Sequence, residues 1–136
     1  MADEANLEVA RRLYRGFAER DPQGILGALA PGFRGVVSAG MPMGLGGTYE
    51  GPETTMREVW GPVFGVLDTG PVPDEYIAAE DGRIVVVGHY TGTARKTGRP
   101  HDAAFVHILR FGDGAIIELV QVTDTARWHE ALAAQS

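Results

Sequence analysis

The 136-residue chain contains no cysteine, which excludes disulfide bonds, a thiol nucleophile and a thiolate metal site. It also lacks an apolar run near the roughly 20 residues of a membrane-spanning helix. Its 12 basic residues are outnumbered by 18 acidic ones, giving a net charge of −6. This balance argues against nucleic acid or an anionic membrane as a partner. The N-terminal segment is acidic and polar, whereas a secretory signal has a basic segment followed by an apolar one. We therefore expect no secretory signal and a cytoplasmic protein.

Length and composition are those of an ordinary soluble protein. Hydrophobic residues make up 44% of the chain and charged residues 22%. Both values suit a globular domain, and the length suits one domain rather than two. We therefore expect residues 1–136 to form a single domain.

The hydrophobic pattern changes from helical spacing to strand alternation along the chain. Helices are predicted over Asp3–Arg20, from Pro22 through Leu29, from Pro52 to Leu67 with a kink at Pro62, and over Thr125–Ala133. Strands are predicted over Phe33–Ser38, Thr48–Tyr49, Asp74–Ala79, Arg83–Ala94, Ala103–Phe111 and Ala115–Thr123. The last four strands are joined by tight turns and form an antiparallel meander. The pattern predicts an α+β protein, with helices on one face of a curved antiparallel sheet and a cavity between them.

A specific residue pattern lies in the second half of the chain. Its members are Tyr90, Gly92, Thr93, Thr97, Gly98, Phe105, His107, Asp113, Gly114, Ile116, Gln121, Asp124 and Thr125. With them, the chain resembles the SnoaL-like and ketosteroid-isomerase-like proteins from about Val9 to Leu132. The resemblance implies the cone-shaped fold of nuclear transport factor 2, in which a curved antiparallel sheet wraps around three helices and encloses a cavity. That fold hosts isomerases, cyclases, dehydratases, hydrolases and non-catalytic binders.

The resemblance also implies positions for catalytic groups. Steroid isomerases have an acidic residue at the position of His107 and a tyrosine at that of Leu13. The aspartate that acts as their general base falls near Val37. All three groups differ here, so steroid isomerisation by that mechanism is not expected. The SnoaL cyclase branch has a histidine at the position of His107, but its acid–base aspartate falls at Gln121, whose amide exchanges no protons near neutral pH.

His107 and Gln121 are the predicted catalytic residues. By the two-residue period of a strand, His107 faces inward with Phe105, and this apolar lining should keep the imidazole neutral and able to act as a base. Gln121 lies on the next strand, with Ile117 and Leu119 expected on the same inner face. Gln121 would donate to a ligand carbonyl or fix the tautomer of His107. The alternative is a structural bond between His107 and Gln121 in the core.

Aromatic side chains are the predicted ligand-binding residues. Only one of His89 and Tyr90 can face the interior, and a two-residue turn at Thr97-Gly98, which pairs Gly88 with His107, favours Tyr90. The helical aromatic residues could equally belong to the core. The predicted ligand-binding set is Tyr14, Phe17, Trp60, Phe64, Tyr90 and Phe105. The four histidines share no metal-ligand spacing, so we expect neither a metal nor a cofactor.

The sequence thus predicts a small enzyme of the proton-transfer type, an isomerase, cyclase, dehydratase or hydrolase, acting on an apolar small molecule. The alternative is a non-catalytic domain of the same fold that binds a small molecule or a protein. The outward residues of the last strands, Val106, Ile108, Val120 and Val122, are too apolar to be left in water. They predict a homodimer formed through the outer face of the sheet.

Overall fold

The structure is a computed structural model that describes residues 2–133, so residue 1 and residues 134–136 of the expected domain lie outside it. In chain order, its helices and strands are α1 (Ala2–Ala18), α2 (Pro22–Gly27), β1 (Leu29–Val37), β2 (Gly47–Glu50), α3 (Pro52–Thr55), α4 (Gly61–Val66), β3 (Leu67–Ala78), β4 (Ile84–Ala94), β5 (Pro100–Gly112), β6 (Ala115–Thr123) and α5 (Thr125–Leu132). The predicted α+β class is confirmed: the helices accompany one curved, unclosed sheet of six strands. Within residues 2–133, no helix is both long and apolar enough to cross a membrane.

The strands follow the order β2-β1-β6-β5-β4-β3. Strands β3 to β6 form the predicted antiparallel meander. One pair in the otherwise antiparallel sheet is parallel: β1 runs parallel to β6, with Val36 opposite Val120. Parallel neighbours need a long crossover connection, and β2, the middle helices and the meander together supply it.

Strands β1, β2, β3 and β5 are longer than predicted, and β3 and β1 begin well before their predicted starts. Strand β3 begins at Leu67 rather than Asp74, although Pro71 and Pro73 lie within it. Proline cannot donate to a strand ladder, but β3 is an edge strand, where one side of the backbone needs no partner. Strand β1 begins at Leu29, so the second helix ends at Gly27 rather than continuing through Leu29.

The predicted kink at Pro62 takes the form of a wider helical turn. The chain is helical from Pro52 to Val66, with a π-helical turn over Met56–Trp60 between α3 and α4. Here the Gly61 N–H donates to the Met56 carbonyl, one residue further back than in an α-helix. Pro62 has no N–H and its ring crowds the preceding turn, and the wider turn relieves that crowding.

The core lies between the helices and the inner face of the sheet. Trp128 of α5 is 1% exposed and is its largest fully buried side chain, although the sequence did not single it out. Its indole N–H donates to Thr123 Oγ1 at 3.0 Å, and its ring centroid lies 4.8 Å from that of Tyr90. Trp60, one of the aromatic residues expected on a helix face, is only partly buried.

The two tryptophans should therefore differ in their contribution to stability. Trp128→Ala should lower the free energy of unfolding by about 3–5 kcal/mol, because it leaves a large cavity. Trp60→Ala should cost less, because part of that ring already contacts solvent. Urea denaturation followed by circular dichroism measures both, and equal losses would contradict this ranking.

Candidate functional site

Four buried side chains form a hydrogen-bonded network on the inner face of the sheet. We call this group, Tyr14 of α1, Tyr90 of β4, His107 of β5 and Gln121 of β6, the polar network. His107 and Gln121 are directly opposite each other in the β5–β6 register, and His107 Nε2 lies 2.7 Å from Gln121 Oε1. The Tyr14 hydroxyl lies 2.7 Å from His107 Nδ1, and the Tyr90 hydroxyl donates to Gln121 Oε1.

The acceptor in the middle of the network fixes the direction of each bond. Gln121 Oε1 can only accept, so His107 Nε2 carries a proton and donates it there. In a neutral imidazole, Nδ1 is then the acceptor, and it receives the Tyr14 O–H. The Gln121 NH₂ group adds two further donors at the same place.

Burial keeps the network uncharged. Loss of water around the imidazole lowers the pKa of His107 to about 4, and the hydrogen bond that His107 donates to Gln121 offsets this only in part. Burial also raises the pKa of Tyr14 and of Tyr90 above that of free tyrosine. Among residues 2–133, no carboxylate is hydrogen-bonded to a member of the network. The site consequently holds neutral donors and one weak base at pH 7.

Two cavities share part of their walls, and the inner one is bordered by Tyr90 and Gln121 of the network. The interior cavity has a volume of only about 10 Å³ and is lined by Phe17, Met41, Val59, Trp60, Val63, Phe64, Pro71, Tyr90, Gln121 and Trp128. The outer pocket has a volume of about 390 Å³ and is lined by Phe17, Arg20, Pro22, Ile25, Met56, Phe64, Asp68 and Arg95. Phe17 and Phe64 belong to both linings, so these two rings separate the outer pocket from the interior.

The structure brings the predicted site residues into one region. Phe105 stacks on His107 with ring centroids 4.1 Å apart, and Phe17, Trp60 and Phe64 line the interior cavity. His89 lies on the outer face, where its Nδ1 is 2.9 Å from Asp74 Oδ2.

Two details of the predicted strand pairing are wrong. Gly88 pairs with Phe105, not with His107, because the loop spans residues 95–98 and is centred one residue earlier than the predicted Thr97-Gly98 turn. The change of register by two residues leaves Tyr90 on the inner face. Ile117 is 37% exposed rather than inward, and Ile116 is buried in its place, because the β5–β6 register shifts between Arg110 and Phe111.

Sequence reasoning missed three features of the interior. The first is that the Tyr14 hydroxyl bonds to His107, although the family's tyrosine position falls at the neighbouring Leu13. The others are Trp128 and the fully buried His101, whose Nδ1 is 2.9 Å from Thr69 Oγ1 and whose ring lies 4.4 Å from Trp128. The spacing of Trp128, Ala131 and Leu132 on α5 is a signal that could have revealed the tryptophan. Within residues 2–133, no three His, Asp or Glu side chains are grouped to hold a metal ion.

The fold is that of the cone-shaped NTF2-like proteins, and the sequence profile of the SnoaL-like domain matches residues 10–119. The chain therefore belongs to the SnoaL-like family.

Solved structures resemble this chain over nearly its whole length. An NTF2-like protein of unknown function from Burkholderia pseudomallei K96243 is 35% identical, covers 96% of this chain and 98% of its own, and superposes with a TM-score of 0.85. TerC co-crystallised with polyporic acid is 32% identical, covers 96% and 99%, and has a TM-score of 0.86. A protein described as a SnoaL-like polyketide cyclase, from Jannaschia sp. CCS1, is 20% identical, covers 96% and 93%, and has a TM-score of 0.79, which shows the fold alone. No curated protein matches the chain.

The two buried histidines should make the protein less stable in acid. The pKa values of His107 and His101 lie at about 4 in the folded protein, against about 6.5 in the unfolded chain. Between these values the unfolded chain binds more protons, so stability is full above about pH 6.5 and falls as the pH drops toward 4. The slope should reach about 1.4 kcal/mol per pH unit for each histidine.

Urea unfolding at about pH 7 and about pH 5 measures this slope. His107→Gln should remove about half of this slope, because His101 supplies the other half. An unaltered slope in His107→Gln would mean that His107 is charged in the folded protein.

Proposed function

We propose that the protein is a cofactor-independent enzyme that transfers a proton within an apolar, carbonyl-bearing small molecule, in the manner of an isomerase or cyclase. The observation that carries the proposal is the Tyr14–His107 pair, a phenol donating to a neutral imidazole at 2.7 Å. This pair lies in a water-poor, aromatic interior next to the Gln121 amide. Membership of the SnoaL-like family supports the same reaction type.

The pair supplies a route for the proton. His107 Nδ1 holds the basic lone pair of the network, and in the proposed reaction Tyr14 passes the proton between this nitrogen and the substrate. As the substrate C–H bond breaks, its proton moves to the Tyr14 oxygen while the Tyr14 proton moves to Nδ1. The reverse transfer returns a proton to a different substrate atom, so the net reaction is an isomerisation and the enzyme is regenerated.

The other half of the network holds the negative charge that develops on the substrate oxygen. The Gln121 NH₂ group is a neutral donor in a buried setting, where hydrogen bonds to an oxyanion are strong, and the Tyr90 hydroxyl holds the amide in place by donating to Gln121 Oε1. Such an oxyanion nearby would also favour the imidazolium form of His107 during the reaction.

The low pKa of His107 restricts the substrate class. An imidazole with a pKa of about 4 is a weak base, so it can remove only a proton that is already acidic. A carbon next to a carbonyl and also next to an aromatic ring carries such a proton. This requirement agrees with the aromatic lining of the interior cavity.

A second candidate function is binding without chemistry. Both ring nitrogens of His107 already have partners, and the interior cavity of about 10 Å³ has room for little more than one water. Either feature suits a domain that holds a ligand in the outer pocket and uses the polar network only to stabilise the core. Any catalytic action at His107 therefore requires the rings around the cavity to move apart.

Proton exchange separates the two functions. With 2-tetralone in D₂O, the wild-type protein should accelerate deuterium uptake at the carbon between the carbonyl and the ring, as followed by proton NMR. His107→Gln should reduce this acceleration by about 10²–10⁴-fold, the contribution of one general base. Tyr14→Phe should also reduce it, because the relay loses its hydroxyl.

Matched controls and a binding measurement complete this experiment. His89→Gln and Tyr49→Phe change the same residue types outside the polar network and should keep wild-type exchange. Binding of polyporic acid is followed by quenching of tryptophan fluorescence. Binding with no accelerated exchange would establish the non-catalytic alternative, and the absence of both would overturn the two candidate functions together.

We also propose that the active form is a homodimer joined through the outer face of the sheet. Cross-strand neighbours form one apolar row over five strands: Val36, Val120, Ile108, Val85 and Ile77. A second row contains Val122, Val106 and Val87, and Val122 is 57% exposed. Full burial of an exposed aliphatic side chain gains about 1.5–3 kcal/mol and that of a half-buried one gains less, and a second copy is the simplest cover for both rows.

Light scattering tests the dimer. The wild-type protein should have twice the mass of one chain, and the double variant Val106→Asp with Val120→Asp should have the mass of one, because burial of two carboxylates is unfavourable. Gln23→Asp, on the exposed surface of α2, should remain dimeric. A wild-type monomer would refute the interface.

A further inference from the structure

Arg20 occupies a backbone position at which glycine is the usual residue. Helix α1 ends with the Arg20 N–H donating to the Phe17 carbonyl at 3.2 Å and the Asp21 N–H donating to the Gly16 carbonyl at 2.9 Å. This pair of bonds places Arg20 in the left-handed region, at φ 54°. A side chain there costs conformational free energy, so the helix end alone does not call for arginine.

The Arg20 side chain lies in the outer pocket. Its guanidinium is 5.7 Å from the centroid of the Phe64 ring, and its Nη2 lies 2.7 Å from Asp68 Oδ1. Both members of this ion pair are about half exposed, at 46% and 57% of their side chains. An ion pair so exposed contributes little to stability, so it does not compensate for the strained backbone.

A second guanidinium lies in the same pocket. Arg95 follows β4, and its Nε donates to the Phe64 carbonyl at 2.7 Å while its backbone N–H donates to the Val66 carbonyl at 2.9 Å. These bonds tie Arg95 to the C-terminal end of α4. Among the lining residues, two arginines and one aspartate leave a net charge of +1, in a chain whose net charge is −6.

The walls of the same pocket are apolar. Ile25, Met56 and the Phe64 ring form much of the lining. A site that combines apolar walls with two planar guanidinium groups is complementary to an apolar molecule that carries one carboxylate-like group, because a guanidinium binds such a group through two parallel hydrogen bonds.

We propose that the outer pocket binds the anionic group of an aromatic acid, with Arg20 as the residue that determines this specificity. The incoming anion takes the place of Asp68 beside Arg20, and Arg95 provides the second positive charge. This inference deepens the proposed function and rests on it in one respect, namely that the aromatic part of the acid lies toward the interior cavity. Phe64 connects the two places, since its ring contacts Arg20 on one side and lines the interior cavity on the other.

A pair of probes that differ only in charge tests the specificity. 2-Naphthoate and 2-naphthamide have nearly the same shape, and isothermal titration calorimetry measures the affinity of each for the whole protein. The wild-type protein should bind naphthoate about tenfold or more tightly than naphthamide, as expected when a charge-assisted hydrogen bond replaces a neutral one.

Three variants then test the assigned residues. Arg20→Gly should abolish most of the preference for naphthoate, and its urea midpoint should equal or exceed that of the wild type, because glycine suits the left-handed position. Asp68→Asn should tighten the binding of naphthoate, since it removes the competing carboxylate. Arg83→Gln is the matched control: it removes an arginine of another exposed ion pair, with Asp81, and should leave the preference intact.

Each alternative result contradicts the inference. Equal affinities for the two probes, no binding of either, or equal losses in Arg20→Gly and Arg83→Gln would show that the pocket selects no anion. A large fall in the midpoint of Arg20→Gly would give Arg20 a structural role instead. These outcomes are separate from the exchange of 2-tetralone, a neutral molecule, so the chemistry at His107 and the selection at Arg20 can fail independently.

Discussion

The two hydrogen bonds to the ring nitrogens of the buried His107 are the interaction on which the rest of the site depends. His107 lies on the inner face of the sheet, where an unbonded ring nitrogen would be costly. Gln121 meets one nitrogen through the register of β5 and β6, and Tyr14 meets the other through the position of α1. Helix and sheet are thus joined at one polar point inside an otherwise apolar core. A shift of either would leave one ring nitrogen of His107 without its partner.

Local patterns in the sequence predict most of the fold. The meander, the helical first half and the parity of Tyr90 and His107 follow from periodicity and turn residues, because these act between near neighbours. The sequence does not reveal where β3 begins, since Pro71 and Pro73 are compatible with a strand only at an edge. It also misses the irregularity in register that buries Ile116 instead of Ile117, because an added residue in one strand leaves the alternation of side chains readable in either frame.

Only part of the site is predictable from the sequence. The contacts that were not predicted all join elements that are distant in the chain. Facing side chains of one sheet, such as His107 and Gln121, can be paired from strand patterns. Contacts between elements distant in the chain cannot, and Tyr14 reaches His107 across 93 residues. The same limit hides the contact of Trp128 with Tyr90. Residues that line the cavity and residues that fill the core are indistinguishable by sequence, because both need apolar or aromatic side chains on an inward face.

Two side chains of this protein are energetically unfavourable at the positions where they lie. They belong to the two regions that the Phe17 and Phe64 rings separate. His107 places a titratable ring where charge is unfavourable, and Arg20 places a side chain where glycine suits the backbone. Departures of this type are common where function competes with stability. Phe64 contacts Arg20 outside and lines the cavity bounded by Gln121 inside. A ligand whose anion is held at Arg20 would place its apolar part against the Phe64 ring, and in the proposed function this ring would link selection at Arg20 to proton transfer in the polar network.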